Sequence, residues 1–68
     1  MLIRITDTFA VRPETIGAVE FTRSDNKIEI HFLDGDIYPI NNKGIRAFNK
    51  LVGQINSALK LIKELETL

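Results

Sequence analysis

The sequence has no cysteine and no tryptophan, and only one histidine, one tyrosine and two prolines among its 68 residues. Without cysteine there is no disulfide framework and no thiolate metal site, and His31 alone cannot assemble a zinc centre. No metal and no cofactor is therefore expected. Neither sign of charge prevails, because nine Lys and Arg face nine Asp and Glu. No apolar run approaches the roughly 20 residues of a membrane-spanning helix. Arg4 and Asp7 interrupt the one apolar stretch near the start, so no export signal is expected. A soluble, cytoplasmic protein without membrane contact is the corresponding expectation. A Walker loop and a dinucleotide fingerprint are both missing. Asp34-Gly35-Asp36 resembles the opening of a calcium loop, but Ile45 stands where the bidentate Glu would have to be. These absences predict a protein that is not an enzyme.

What is present is the composition of a folded chain, 44% hydrophobic and 26% charged. A chain of this size buries only about 60% of the surface that its unfolded form exposes. With disulfides and metals excluded, oligomerisation is the remaining staple. One domain spanning 1–68 is expected, divided into a β half over 1–40 and a helical half over 43–67. The first half carries four basic against seven acidic residues, whereas 41–63 carries Lys43, Arg46, Lys50, Lys60 and Lys63 with no acid. A neutral chain is thus electrically two-ended.

In the β half, a two-residue turn at Asp34-Gly35 would pair Phe32 with Ile37, Ile30 with Pro39 and His31 with Tyr38. A second turn at Asp25-Asn26 would pair Phe21 with Ile30, Val19 with Phe32 and Glu20 with His31. Together they place Val19, Phe21, Ile28, Ile30, Phe32 and Ile37 on one face of an antiparallel meander over about 18–23, 27–33 and 36–40. Pro39 cannot donate to a ladder, so its strand belongs at an edge. An earlier strand over about 2–6 alternates Ile3 and Ile5 with Arg4 and Thr6, and Phe9 and Val11 either continue it or anchor a loop. The opposite face would carry Ala18, Glu20, Thr22, Glu29, His31, Leu33, Tyr38 and Ile40. On it, Glu20, His31 and Tyr38 would form an acid–imidazole–phenol row, a candidate sheet-face site. A cross-strand surface pair covered by Tyr38 accounts for the same residues.

The helix is predicted from Phe48, Leu51, Val52, Ile55, Leu59, Ile62 and Leu65, which recur at spacings of three and four. Asn41 or Asn42 is the expected N-cap, and Gly53 is read as a point of close packing against the sheet. The fold class is therefore α+β: a small antiparallel meander of three or four strands packed against one long C-terminal helix. Ala58, Leu61, Leu65 and Leu68 form a second seam beside the first, broader than one sheet requires. That seam predicts an oligomer, most simply a homodimer.

The function expected on these grounds is a small self-associating interaction module that binds another macromolecule, with a protein as the partner, in an accessory, regulatory or inhibitory role. The alternative is a nucleic-acid or nucleotide binder using Lys43, Arg46 and Lys50, which share one sector near the start of the helix. Asn42 and Lys43 would there offer an anion contact. Against it stand a sequence pI of about 6.6 and few aromatic rings to stack on bases.

Overall fold

The structure, a computed structural model, describes residues 1–66 and has the expected α+β class. Five strands form two antiparallel sheets. β1 (Ile3–Thr6) and β2 (Phe9–Val11) make a hairpin of their own, so Phe9 and Val11 belong to a separate strand. A turn of 3-10 helix at Pro13–Thr15 leads into β3 (Ile16–Thr22), β4 (Lys27–Phe32) and β5 (Ile37–Ile40), a meander with β4 at its centre. The last described element is α1 (Ile45–Glu66).

The core lies between the meander and the helix, with the hairpin closing one side. Ile28, Ile30 and Ile40 from the sheet meet Leu51, Ile55 and Ala58 from α1 and Ile3 from β1. Ile30 is fully buried at 0% exposure and Ile28 nearly so at 2%, as befits alternate residues of a central strand covered by a helix. Phe21 stacks against Phe48 of the helix at 5.6 Å between ring centroids. Pro39 lies in an edge strand, opposite Glu29.

Two turns are longer than the expected ones, and the parity of the difference decides the outcome. Between β3 and β4 the ladder pairs Val19 with Ile30 and Phe21 with Ile28, two residues away from the expected register. A shift of two keeps every side chain on its face. Between β4 and β5 the ladder pairs Ile30 with Tyr38 and Ile28 with Ile40, a shift of one. That shift turns β5 over. Tyr38 and Ile40 face the core, and Ile37, expected inside, is 52% exposed.

The cause is local to the Asp34-Gly35 loop. The Phe32 N–H donates to the Asp36 carbonyl at 2.8 Å, and the Gly35 N–H donates to the Phe32 carbonyl at 3.0 Å. Three residues, Leu33, Asp34 and Gly35, are thereby enclosed instead of two. The Asp36 N–H donates to Asp34 Oδ1 at 2.9 Å, and Gly35 takes the left-handed conformation with φ of 99°. This is the three-residue hairpin that ends in a glycine bulge. Gly35→Ala is expected to cost about 1 kcal/mol through that positive φ, since no neighbour crowds the position. A fall in the thermal midpoint of several degrees would show it, and an unchanged midpoint would contradict the loop geometry.

The helix also starts later than expected. Asn42 has φ of 59° and belongs to the preceding turn, and Lys43 precedes the helix, its N–H donating to the Asn26 carbonyl at 2.9 Å. Gly44 accepts the first helical bond, from Phe48 N–H at 3.2 Å, so the cap position belongs to glycine and not to either asparagine. Gly53 is exposed, and a Cβ there would meet nothing within 4 Å, so it marks open space and not close packing.

Candidate functional site

Four surfaces collect the side chains with chemical or binding potential. On the outer face of the meander, His31 pairs with Ala18 and Ile37, and Glu20 stands opposite Glu29. The expected row is therefore broken. Tyr38 is on the core side, where its ring stacks on Phe9 at 4.2 Å and 16° between planes. His31 keeps a diagonal relation to Glu20, with Nε2 3.7 Å from Oε2, beyond hydrogen-bond length and within reach of an ion pair when the imidazole is protonated. The facing carboxylates of Glu20 and Glu29 repel across the ladder, and His31 offsets part of that when charged. Among the described residues, no group of three or more His, Asp or Glu side chains could hold a metal ion.

The second surface is basic. Lys43 and Lys50 line a pocket of ≈240 Å³ together with Arg4 and Gln54, over a floor of Ile5, Ile28, Ile40, Ala47 and Leu51. Arg46, grouped with the two lysines by helical angle, is not among the residues lining it. The angular argument fails for Lys43 because that residue precedes the helix, yet the pocket reunites it with Lys50. Arg4 had only the signature of an outward residue on a strand. Its Nη1 donates to the Asp7 carbonyl at 3.0 Å across the hairpin turn, and β1 packing beside α1 brings it to the lysines. No local sequence signal carries that neighbourhood, because it depends on where the hairpin docks.

The third surface is apolar. Ala58, expected in the second seam, is buried in the molecule's own core at 8% exposure, while Leu61 and Leu65 are exposed at 44% and 59%. Leu68 lies outside the described residues. At 22 residues α1 is about 33 Å long, and the longest strand, at seven residues, is about 23 Å, so the last turns of the helix extend past the sheet. Leu65, counted in both the core stripe and the seam, therefore lacks a covering strand. Before those last turns, between Lys50 and Ser57, α1 borders a groove of ≈610 Å³ lined by Leu2, Ile3, Arg4, Lys50, Gly53, Gln54 and Ser57.

A further cleft of ≈480 Å³ sits at the far end of the meander. It has an apolar floor of Phe9, Val11, Phe32 and Leu33, and Glu14, Asp34 and Asp36 stand around it with Arg12. Leu33, at 74%, is the most exposed of the large apolar side chains described. The alternation along the expected strand puts Leu33 on the outer face and carries no sign of a cleft, since the cleft arises from the hairpin loop meeting the 3-10 turn.

No helix among the described residues is long and apolar enough to cross a membrane. In comparisons with known proteins, no family model matches the sequence, and no curated protein and no solved structure matches the chain.

Proposed function

We propose that this protein is a non-enzymatic interaction module that self-associates through the C-terminal half of α1 and acts as an accessory, regulatory or inhibitory partner of another macromolecule. The observation that supports this most directly is the exposure of Leu61 and Leu65 on a helix that outreaches its own sheet. Exposed apolar side chains in continuous groups are costly in water and commonly mark contact surfaces. A role of this kind needs a second surface besides the one used between copies. The cleft at Leu33, with its apolar floor and acidic surround, suits a protein segment that offers an apolar side chain next to Lys or Arg. A cytoplasmic setting accords with a chain that has no cysteine.

The test is sedimentation of the wild type at high micromolar concentration. A species heavier than the 7.7 kDa chain is expected, and Leu33→Glu should leave it unchanged. A wild type that sediments at 7.7 kDa would overturn the reading.

The basic pocket supports a second reading, in which a nucleotide or single-stranded nucleic acid is bound by its phosphates at Arg4, Lys43 and Lys50. With about three phosphate contacts the logarithm of affinity should fall with the logarithm of salt at a slope of about −2. Replacing these three residues by Ala should abolish binding of a labelled oligonucleotide, whereas Arg46→Ala should weaken it much less. Salt-independent binding, or binding that survives the triple variant, would remove this reading.

A further inference from the structure

β3 and β5 are the two edges of the meander, and only one of them is closed. On the β5 side Pro39 has no N–H to offer a further strand. The hairpin also lies on that side, with Phe9 stacked on Tyr38 and with Arg4 and Ile5 in one pocket with Ile28 and Ile40. β3, at seven residues the longest strand, has no strand beyond it among the described residues. Its pairing with β4 is regular from Ala18 to Thr22, and Glu20 is the one charged residue of that stretch.

The phase of the ladder decides which backbone groups are left over. The bond from Phe32 N–H to the Asp36 carbonyl fixes a hydrogen-bonded pair between β4 and its neighbour, and such pairs alternate along antiparallel strands. Glu29, opposite Pro39, and His31, opposite Ile37, therefore turn their N–H and C=O groups toward β3, where they meet Glu20 and Ala18. Val19 and Phe21, at the alternate positions of β3, turn theirs to the free edge. Beside that edge a groove of ≈240 Å³ separates β3 from α1, with Ile16 and Val19 on one side and Val52 and Leu59 on the other.

We propose that an extended segment of a partner protein adds to the free edge of β3, with alternate apolar side chains in this groove and Lys or Arg side chains on the outer face beside Glu20. This rests on the reading of the protein as a module that binds another protein, and it names the conformation of the partner. A row of backbone donors and acceptors is met by another extended backbone and not by a helix, which uses its own internally. The two-residue period of a strand sends alternate side chains to the groove and to the outer face. There Glu20 and Glu29 stand opposite each other, so cations on the added strand offset a repulsion already present. A second copy fits less well, because the outward side chains of its β3, Ala18, Glu20 and Thr22, would bring another carboxylate and no cation. The groove also adjoins the cleft at Leu33, since Thr15 lines the cleft and Ile16 the groove, so one segment of the same chemistry reaches both.

The probe is the peptide acetyl-Lys-Val-Arg-Val-Lys-Val-amide, followed by amide NMR of the isotope-labelled protein. In the free protein the amides of Val19 and Phe21 should exchange fast with solvent and that of Glu20 slowly, and the peptide should protect the first two. N-methylating one alternate set of peptide amides, the valines if the added strand is antiparallel like its neighbours, should weaken binding about tenfold or more, and methylating the other set should not. Glu20→Lys should reverse the preference between this peptide and its counterpart with Glu in place of Lys and Arg. No binding at millimolar peptide, equal losses from the two methylated sets, or no reversal with Glu20→Lys would overturn the proposal and leave self-association, read by sedimentation, in place. Amides of Val19 and Phe21 that are protected at high micromolar concentration and exposed on dilution would put a second copy on this edge, which overturns it as well.

Discussion

Ile30→Ala is expected to bring the protein to the edge of unfolding at room temperature, with a substantial fraction of the molecules unfolded. Ile30 has no exposed surface and sits in the central strand of the meander, packed among Ile28, Ile40, Leu51 and Ile55. Removing three buried carbons loses their transfer free energy and leaves a cavity, together about 3–4 kcal/mol. A core in a chain of this length supplies only about 3–5 kcal/mol of net stability, so the loss consumes nearly all of it. Urea unfolding followed by circular dichroism measures the difference. The informative companion is Ile37→Ala, at a position half exposed to solvent, for which a change within about 0.5 kcal/mol is expected. Should Ile37→Ala prove as damaging as Ile30→Ala, the strand would have the two-residue-turn register instead, and the observed face of β5 would be refuted.

Leu61→Glu is expected to abolish self-association without disturbing the fold. Leu61 is 44% exposed within one chain, so a polar replacement leaves no cavity in the core. In a two-fold assembly, however, each change is felt twice. Covering a leucine contributes about 1.5–3 kcal/mol, so losing both copies weakens association by about 3–6 kcal/mol, a hundredfold or more. Sedimentation should show a monomer at concentrations where the wild type is heavier, with an unchanged helical circular dichroism signal. An associating variant would show that contact between copies is made elsewhere, with the outer sheet face at Ile37 and Leu33 the next surface to probe.

The two changes probe different levels at which the sequence was legible. The partition into a strand-rich half and a long helix followed from the period of the apolar residues, and it survived because Leu51 and Ile55 fall on one helical stripe whatever the sheet does. The face of β3 and β4 also survived, although the ladder moved by two residues, because parity is unaffected. The face of β5 did not. Asp34-Gly35 is compatible with a two-residue and a three-residue loop, and the difference of one residue moved Tyr38 and Ile40 inward and Ile37 outward. With Tyr38 went the proposed row with Glu20 and His31, which shows how a site built on register inherits the uncertainty of a single turn. The basic group fared differently. Lys43 and Lys50 do share a pocket, but through the docking of the hairpin that adds Arg4, and not through the helical angle that had included Arg46.

From its residues alone this chain is committed to an α+β class, to a core of branched aliphatic side chains, and to a helix with more apolar surface than a small sheet can cover. Those properties depend on periodicity and composition, which are local and additive. The tertiary structure decided which leucines that surplus comprises. Ala58 went to the core, Leu61 and Leu65 remained outside, and Gly53 became a gap and not a packing point. The reason is geometric, since the angle at which α1 crosses the sheet and the length by which it exceeds the strands are set by side chains far apart in sequence. No window of neighbouring residues contains that information.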